Sequence, residues 1–397
     1  MTNLLPKATI GHVAANRTNG DAAHRVLSAK DFALAHQEIT AWDGYAPTPL
    51  VSLAAIAARI DVKEILYKDE GPRFGLGSFK ALGGSYAALR AIQREISKRL
   101  QKDIPLADIR SGKYSEDCAA LTLVSATDGN HGRSLAWACS RFGVCCRIYI
   151  HAEVSQGRAD AMSELGAKVI RIEGDYDASV VLAKAEAEEN GWLVVSDTSW
   201  PGYSMPPRDV MSGYGVMVQE INEKLEYAPT HIFLQGGVGG LAAGVVASMR
   251  QHWGDASPRV IIVEPELAAC LFESAKTGTA TTVAIAEETL MAGLSCGEPS
   301  GLAWEILAEE ASDYLTIPEA LVAPSVRLLA NPLGDDEPIE AGESATAGLA
   351  ALIAVRDDAD LSQKLELDAT SRVLLIGSEG VTDAAIYEMI IAGRDAA

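Results

Sequence analysis

The stretch "GPRFGLGSFKALGGSYAALR", Gly71 to Arg90, places one lysine, Lys80, where loop gives way to helix. Glycines 71, 75 and 77 precede it and Phe79 adjoins it. An amine so placed can attack a carbonyl and, when neutral, can take a proton. Burial against Phe79 would favour the neutral form, because low dielectric disfavours charge. Further along stands "GGVGG", Gly236, Gly237, Val238, Gly239 and Gly240, leading into the helical "LAAGVVASMR". A glycine loop that opens a helix offers bare N–H groups and a dipole to an anion such as phosphate. It matches neither the dinucleotide nor the Walker spacing, so it implies a phosphate and nothing about the rest of the ligand. "ATDGNHGR", Ala126 to Arg133, supplies an acid (Asp128), an amide donor (Asn130) and an imidazole (His131). "GSEGVTD", Gly377 to Asp383, offers the hydroxyl of Ser378, and Asp197 follows "WLVVS". Plainer readings stand beside these: a surface lysine at a helix start, an asparagine in a turn, and helix caps at Asp128 and Ser378.

Each group follows or adjoins a β-rich run. The runs are Glu64–Lys68, Leu121–Ser125, Cys145–Ile150, Lys168–Ile172, Trp192–Ser196, His231–Gln235, Val260–Glu264 and Arg372–Ile376. Helical spacing fills the gaps, as in "GRSLAWACSRFG" and "YDASVVLAKAEAEENG". Strand and helix in alternation predict an α/β fold with two open, mostly parallel twisted sheets and helices on both faces. In such folds ligands bind beyond the carboxyl ends of strands, where these loops fall.

A phosphate cradle, a reactive lysine, an amide donor and a hydroxyl together are what pyridoxal phosphate requires. The lysine would form a Schiff base with its aldehyde, Asn130 would bond the ring oxygen, and Ser378 would face the ring nitrogen. The sequence resembles the tryptophan-synthase-β-like, fold type II pyridoxal enzymes. "SFK" with Lys80, "SATDGNHG", "GGVGG", "GSEG" and the earlier "APTPL" occur in that family's order. "DTSWPGY", "MAGLSCGEPS" and the aspartate in "ATDGNHGR" narrow the likeness to the diaminopropionate ammonia-lyase branch. Another residue is frequent there at Gly77, and threonine at Ser378.

That resemblance implies elimination of ammonia from 2,3-diaminopropionate, D or L, to give pyruvate and a second ammonia. Lys80 and Asp128 would be the two catalytic bases, one on each face of Cα. Ser125, Thr127, Asp128, Gly129, His131 and Asp197 would meet the substrate, with Asp128 or Asp197 facing its second amine. Phe79, Lys80, Asn130, Gly236, Gly237, Val238, Gly239, Gly240 and Ser378 would hold the cofactor. His131 is expected to be structural, since the lysine already supplies a base. The alternative on the same scaffold is a dehydratase of serine, threonine or phenylserine type. A nicotinamide dehydrogenase is disfavoured by the missing GxGxxG, and a mere pyridoxal carrier by the presence of both Lys80 and Asp128.

A chain of 397 residues implies two domains. The reading gives a large one, 1–80 with 191–397, that binds the cofactor, and a small inserted one, 81–190. A net charge of -21 argues against nucleic acid or an anionic membrane as partner. No run is apolar and long enough to span a bilayer, and no secretory leader is apparent, so the cytoplasm is expected. Six cysteines without CxxC spacing imply neither a disulfide framework nor a metal site, and Cys145 and Cys146 read as small core residues. The resemblance implies a homodimer.

Overall fold

The computed structural model describes residues 4–15, 20–127, 129–174 and 176–394. The chain divides into two compact units, Met1–Ala29 with Pro47–Ser78 and Met217–Ala397, and Lys30–Ala46 with Phe79–Val216.

The first unit is built on seven strands: β1 (Gly11–Ala14), β2 (Leu50–Ser52), β3 (Glu64–Asp69), β8 (His231–Gln235), β9 (Arg259–Pro265), β10 (Asp313–Ile317) and β11 (Arg372–Gly377). Their order is β1-β10-β9-β8-β11-β3-β2. The five inner strands pair in parallel, while β1 and β2 close the edges antiparallel. All five residues of β8 are buried, as are all but the first of β9 and β11. Parallel strands covered on both faces read as continuous apolar runs for this reason. Helix Ala347–Arg356 buries Leu349, Leu352 and Ile353 in the same core as Phe233, Val373 and Leu375. Each such side chain contributes about 1.5–3 kcal/mol of transfer free energy.

The second unit carries four parallel strands: β4 (Thr122–Ala126), β5 (Cys145–Ile150), β6 (Lys168–Arg171) and β7 (Leu193–Val194). Their order is β6-β5-β4-β7. Helices Asn130–Phe142 and Tyr176–Asn190 stop at Gly143 and Gly191, whose φ values of 69° and 67° suit glycine.

Fold class and the eight sequence-read strands stand, with ends shifted by a few residues. The three strands not foreseen are β1, β2 and β10. The first two are edge strands of four and three residues, too short for a period to show. Cys145 corrects the expectation that both adjacent cysteines are core residues. It is exposed and Cys146 buried, because successive residues of a strand face opposite ways.

The compact second unit also extends past the 81–190 boundaries. β7 pairs with β4, and the Tyr203 hydroxyl donates to the Val194 carbonyl at 2.9 Å. Asp209 meets Arg94 at 2.6 Å. At the other end, Glu38 accepts from Arg110 at 2.6 Å and from the Trp42 indole at 3.0 Å. These contacts bind residues 30–46 and 191–216 to the segment that sequence patterns had isolated.

Candidate active site

In the second unit, helix Lys80–Leu100 starts at the lysine itself, with Phe79 as its N-cap residue. Lys80 Nζ lies 2.5 Å from Asp197 Oδ2. Their side chains are 21% and 19% exposed, so a small molecule can reach both. Burial pushes the Asp197 carboxyl up, but the Lys80 amine and His131 outweigh it and hold the group well below the usual carboxylate range. Asp197 is therefore an anion at neutral pH.

β4 delivers the second group of residues. Ser125 is fully buried on the strand, and Thr127 follows it with its N–H bonded to the Tyr149 carbonyl at 3.1 Å. The Gly129 N–H donates to Thr127 Oγ1 at 3.3 Å, and helix Asn130–Phe142 begins one residue later. His131 is buried; its Nε2 bonds the Val195 carbonyl at 2.9 Å while Nδ1 stands 3.9 Å from Asp197. The carbonyl partner requires Nε2 to carry the proton, so the ring is anchored by one nitrogen and faces Asp197 with the other. Ser134 Oγ donates to the Lys80 carbonyl at 2.8 Å, tying this helix to the lysine's own first turn. Lys80, Asp197 and His131 are thus brought together, with Ser125, Thr127, Gly129 and Asn130 on the adjoining strand end. Asp128 lies outside the described residues.

In the first unit, Gly236–Gly240 link β8 to helix Gly240–Trp253. Gly237 and Gly239 take φ of 62° and 92°, a region that a Cβ disfavours. A Cβ on Gly236 would stand 2.4 Å from Glu264 Cγ, so only glycine fits there. The first turn of this 14-residue helix leaves N–H groups without intrahelical partners, pointing out of the loop. Ser378 follows β11 and is buried. Its neighbour Gly380 donates to the Gly77 carbonyl at 2.9 Å, and Glu379 bridges Ser78. The loop before the lysine is thus fastened to the loop bearing Ser378, two residues short of Lys80.

That loop has a second fastening. Arg73 and Lys68 are buried with Glu70, Glu220 and Thr48. Arg73 holds both carboxylates at 2.7–2.8 Å, and Lys68 reaches Glu220 at 2.5 Å. Sequence reading passed over these residues, which are individually ordinary. It also passed over Glu264, a fully buried acid beside Gly236 whose carboxyl accepts from the Leu271 and Phe272 N–H groups.

The donor set suits pyridoxal phosphate: a glycine cradle that a Cβ would obstruct, a reachable primary amine, and a buried hydroxyl. Two α/β units with these loops define the architecture of a fold type II pyridoxal enzyme. The pyridoxal-phosphate dependent enzyme family matches residues 41–379. Diaminopropionate ammonia-lyase of Escherichia coli (strain K12) is 38% identical over 362 residues, covering 90% of this chain and 89% of its own. The holo form of that enzyme from Escherichia coli superposes with a TM-score of 0.88 at 35% identity, over 98% of this chain and 97% of the other. Its complex with D-serine gives 0.87 at 35% identity, over 97% of each. The chain belongs to the family of pyridoxal-phosphate-dependent enzymes, in the branch of the diaminopropionate ammonia-lyases.

Proposed function

We propose that the chain eliminates ammonia from 2,3-diaminopropionate, in either configuration, and releases pyruvate and a second ammonia after hydrolysis. When bound, pyridoxal phosphate supplies an aldehyde for the substrate's α-amine and a ring that draws electrons from the Cα–H bond. Gly236, Gly237, Val238, Gly239 and Gly240 would cradle the phosphate, with the helix dipole and the backbone N–H groups other than those of Gly236 and Gly239, which bond the Val263 and Gly236 carbonyls. Asn130 would donate to the ring oxygen, Ser378 would face the ring nitrogen and Phe79 would border the ring. Lys80 would hold the cofactor and, as a free neutral amine, would take the Cα proton of the L isomer. Asp128 takes that of the D isomer from the opposite face. Ser125, Thr127, Gly129 and His131 form the rest of the loop around the substrate carboxylate.

The observation that carries the reading is the Lys80–Asp197 pair. A carboxylate that already holds one ammonium is suited to a second. When Lys80 is occupied, Asp197 binds the substrate's β-ammonium. An ammonium leaves as neutral ammonia with no added proton. A hydroxyl leaving group needs a donated proton, whereas the β-ammonium brings its own and asks of Asp197 only a counter-charge. This favours the diamino acid over a β-hydroxy amino acid. The cofactor-binding role falls to the larger unit, with the smaller bearing Lys80 and Asp197. A homodimer working in the cytoplasm completes the proposal. It is consistent with an acidic chain in which, among the described residues, no helix is long and apolar enough to cross a membrane.

The experiment is Lys80→Ala. Visible absorbance of the purified protein and release of pyruvate and ammonia from both isomers should disappear together. Full activity with an unchanged spectrum would end the pyridoxal assignment of this lysine.

A further inference from the structure

Within the second unit, helix Lys80–Leu100 crosses helix Met205–Asn222 at two glycines. A Cβ on Gly213 would stand 2.5 Å from the Leu82 carbonyl oxygen and 2.9 Å from Gly83 Cα. One on Gly83 would stand 2.4 Å from Tyr214 Cε1 and 2.7 Å from the Val210 carbonyl oxygen. The backbones can approach this closely only because both side chains are absent. Tyr214 is thereby laid against the first turn of the lysine's helix, its ring centroid 4.7 Å from that of Phe79.

Tyr214 is 1% exposed, and its hydroxyl is buried without a hydrogen-bond partner of good geometry. A buried hydroxyl left in that state is a net cost to folding and calls for a reason. Burial pushes its titration well up, with the Lys80 amine as the strongest opposing influence. The phenol thus stays protonated at working pH, and Lys80 is the cation that it feels.

We propose that Tyr214 is a positioning residue for Lys80: its hydroxyl oxygen takes an N–H of the lysine when Asp197 turns to the substrate, and so aims the amine at Cα. The assignment rests on the reading of Lys80 and Asp197 given above. A neutral amine has two N–H groups and one lone pair. A single acceptor on one N–H restricts rotation of the head group and leaves the lone pair for the substrate. After proton transfer the ammonium keeps the same acceptor.

Tyr214→Phe in the full chain tests it, because only the hydroxyl is lost and ring packing remains. Visible absorbance should persist in the holoenzyme. The kcat for L-diaminopropionate should fall about tenfold, equivalent to one lost hydrogen bond in the transition state. KM should stay within about threefold, and the D isomer should be much less affected, since its proton goes to another base. In the apoprotein, visible absorbance after addition of pyridoxal phosphate should develop several-fold more slowly, because the same amine is then the nucleophile. Equal proportional losses on the two isomers with normal capture would mean packing and overturn the assignment. Unchanged kcat and capture, or loss of the colour altogether, would overturn it too. Failure of the parent enzyme to act on either isomer would sink the functional reading instead, and the capture rates would still decide for or against Tyr214.

Discussion

The amine of Lys80 and the carboxylate of Asp197 restrain each other. On the proposed reading substrate parts them, its own second amine being chemically equipped to do so. What the pair does not supply is a base on the other face of Cα. A tethered lysine reaches one face only, so a single base serves a single enantiomer. On the proposed reading Asp128, which follows Thr127 in the sequence, supplies the second. Asp128→Asn keeps size and hydrogen bonding while removing basicity. Turnover of D-diaminopropionate should drop by about 10²–10⁴-fold, the usual worth of a general base, with a much smaller drop for the L isomer. Steady-state rates on the separate isomers decide the matter. Equal losses would assign Asp128 to binding of the β-amine, and no loss would leave it as a helix cap.

Among the elements, the loop Gly236–Gly240 shows how backbone shape and charge act together. Its two left-handed glycines turn the chain into the head of a helix, and on the proposed reading a charge added there would face the phosphate. Gly237→Asp adds a carboxylate and forces a side chain onto φ of 62°. Cofactor retention on dialysis should weaken by at least about tenfold, each factor of ten being about 1.4 kcal/mol, while far-ultraviolet circular dichroism stays that of the parent. Undiminished retention would move the phosphate elsewhere. The loop was legible because glycines with that spacing after a buried strand have few other uses. The Gly83–Gly213 crossing was not legible. Nothing local distinguishes those glycines from any others, and their meaning comes from a partner about 130 residues away along the chain.

Across the whole molecule, buried charge sets the response to pH. Glu264 is fully buried, and that burial pushes its carboxyl up to about 8, against the Leu271 and Phe272 N–H groups and the Cys270 thiol, which favour the anion. The folded state therefore holds this proton more tightly than the unfolded chain does. Its stability contribution is fully present below the ordinary value of 4.5 and is lost as pH rises toward about 8. Glu264→Gln is neutral throughout and should flatten that decline. Melting temperatures at about pH 6 and about pH 9 should differ more for the parent than for the variant. Equal differences would show that another group titrates. Glu220 and Asp313 have the opposite sign. Burial raises each, but Arg73 and Lys68 for Glu220, and His12 and Arg259 for Asp313, bring them below their ordinary values. Their contributions are present at neutral pH and are lost on acidification.

By itself, the sequence determined the alternation of buried strands and helices and marked out the lysine and the glycine loop. These are local facts, carried by residue type and short spacing. It also contained enough of the family's motifs, in order, to name the chemistry. Tertiary structure alone decided that Asp197, 117 positions away, closes on Lys80. It alone buried Arg73, Lys68, Glu70 and Glu220 in one cluster and laid Tyr214 beside the lysine. It also drew residues 30–46 and 191–216 into the smaller unit. The physical reason is the same in each case. Pairing of charges and close approach of helices depend on distance in space, and a chain that folds back on itself does not record that distance in the order of its residues.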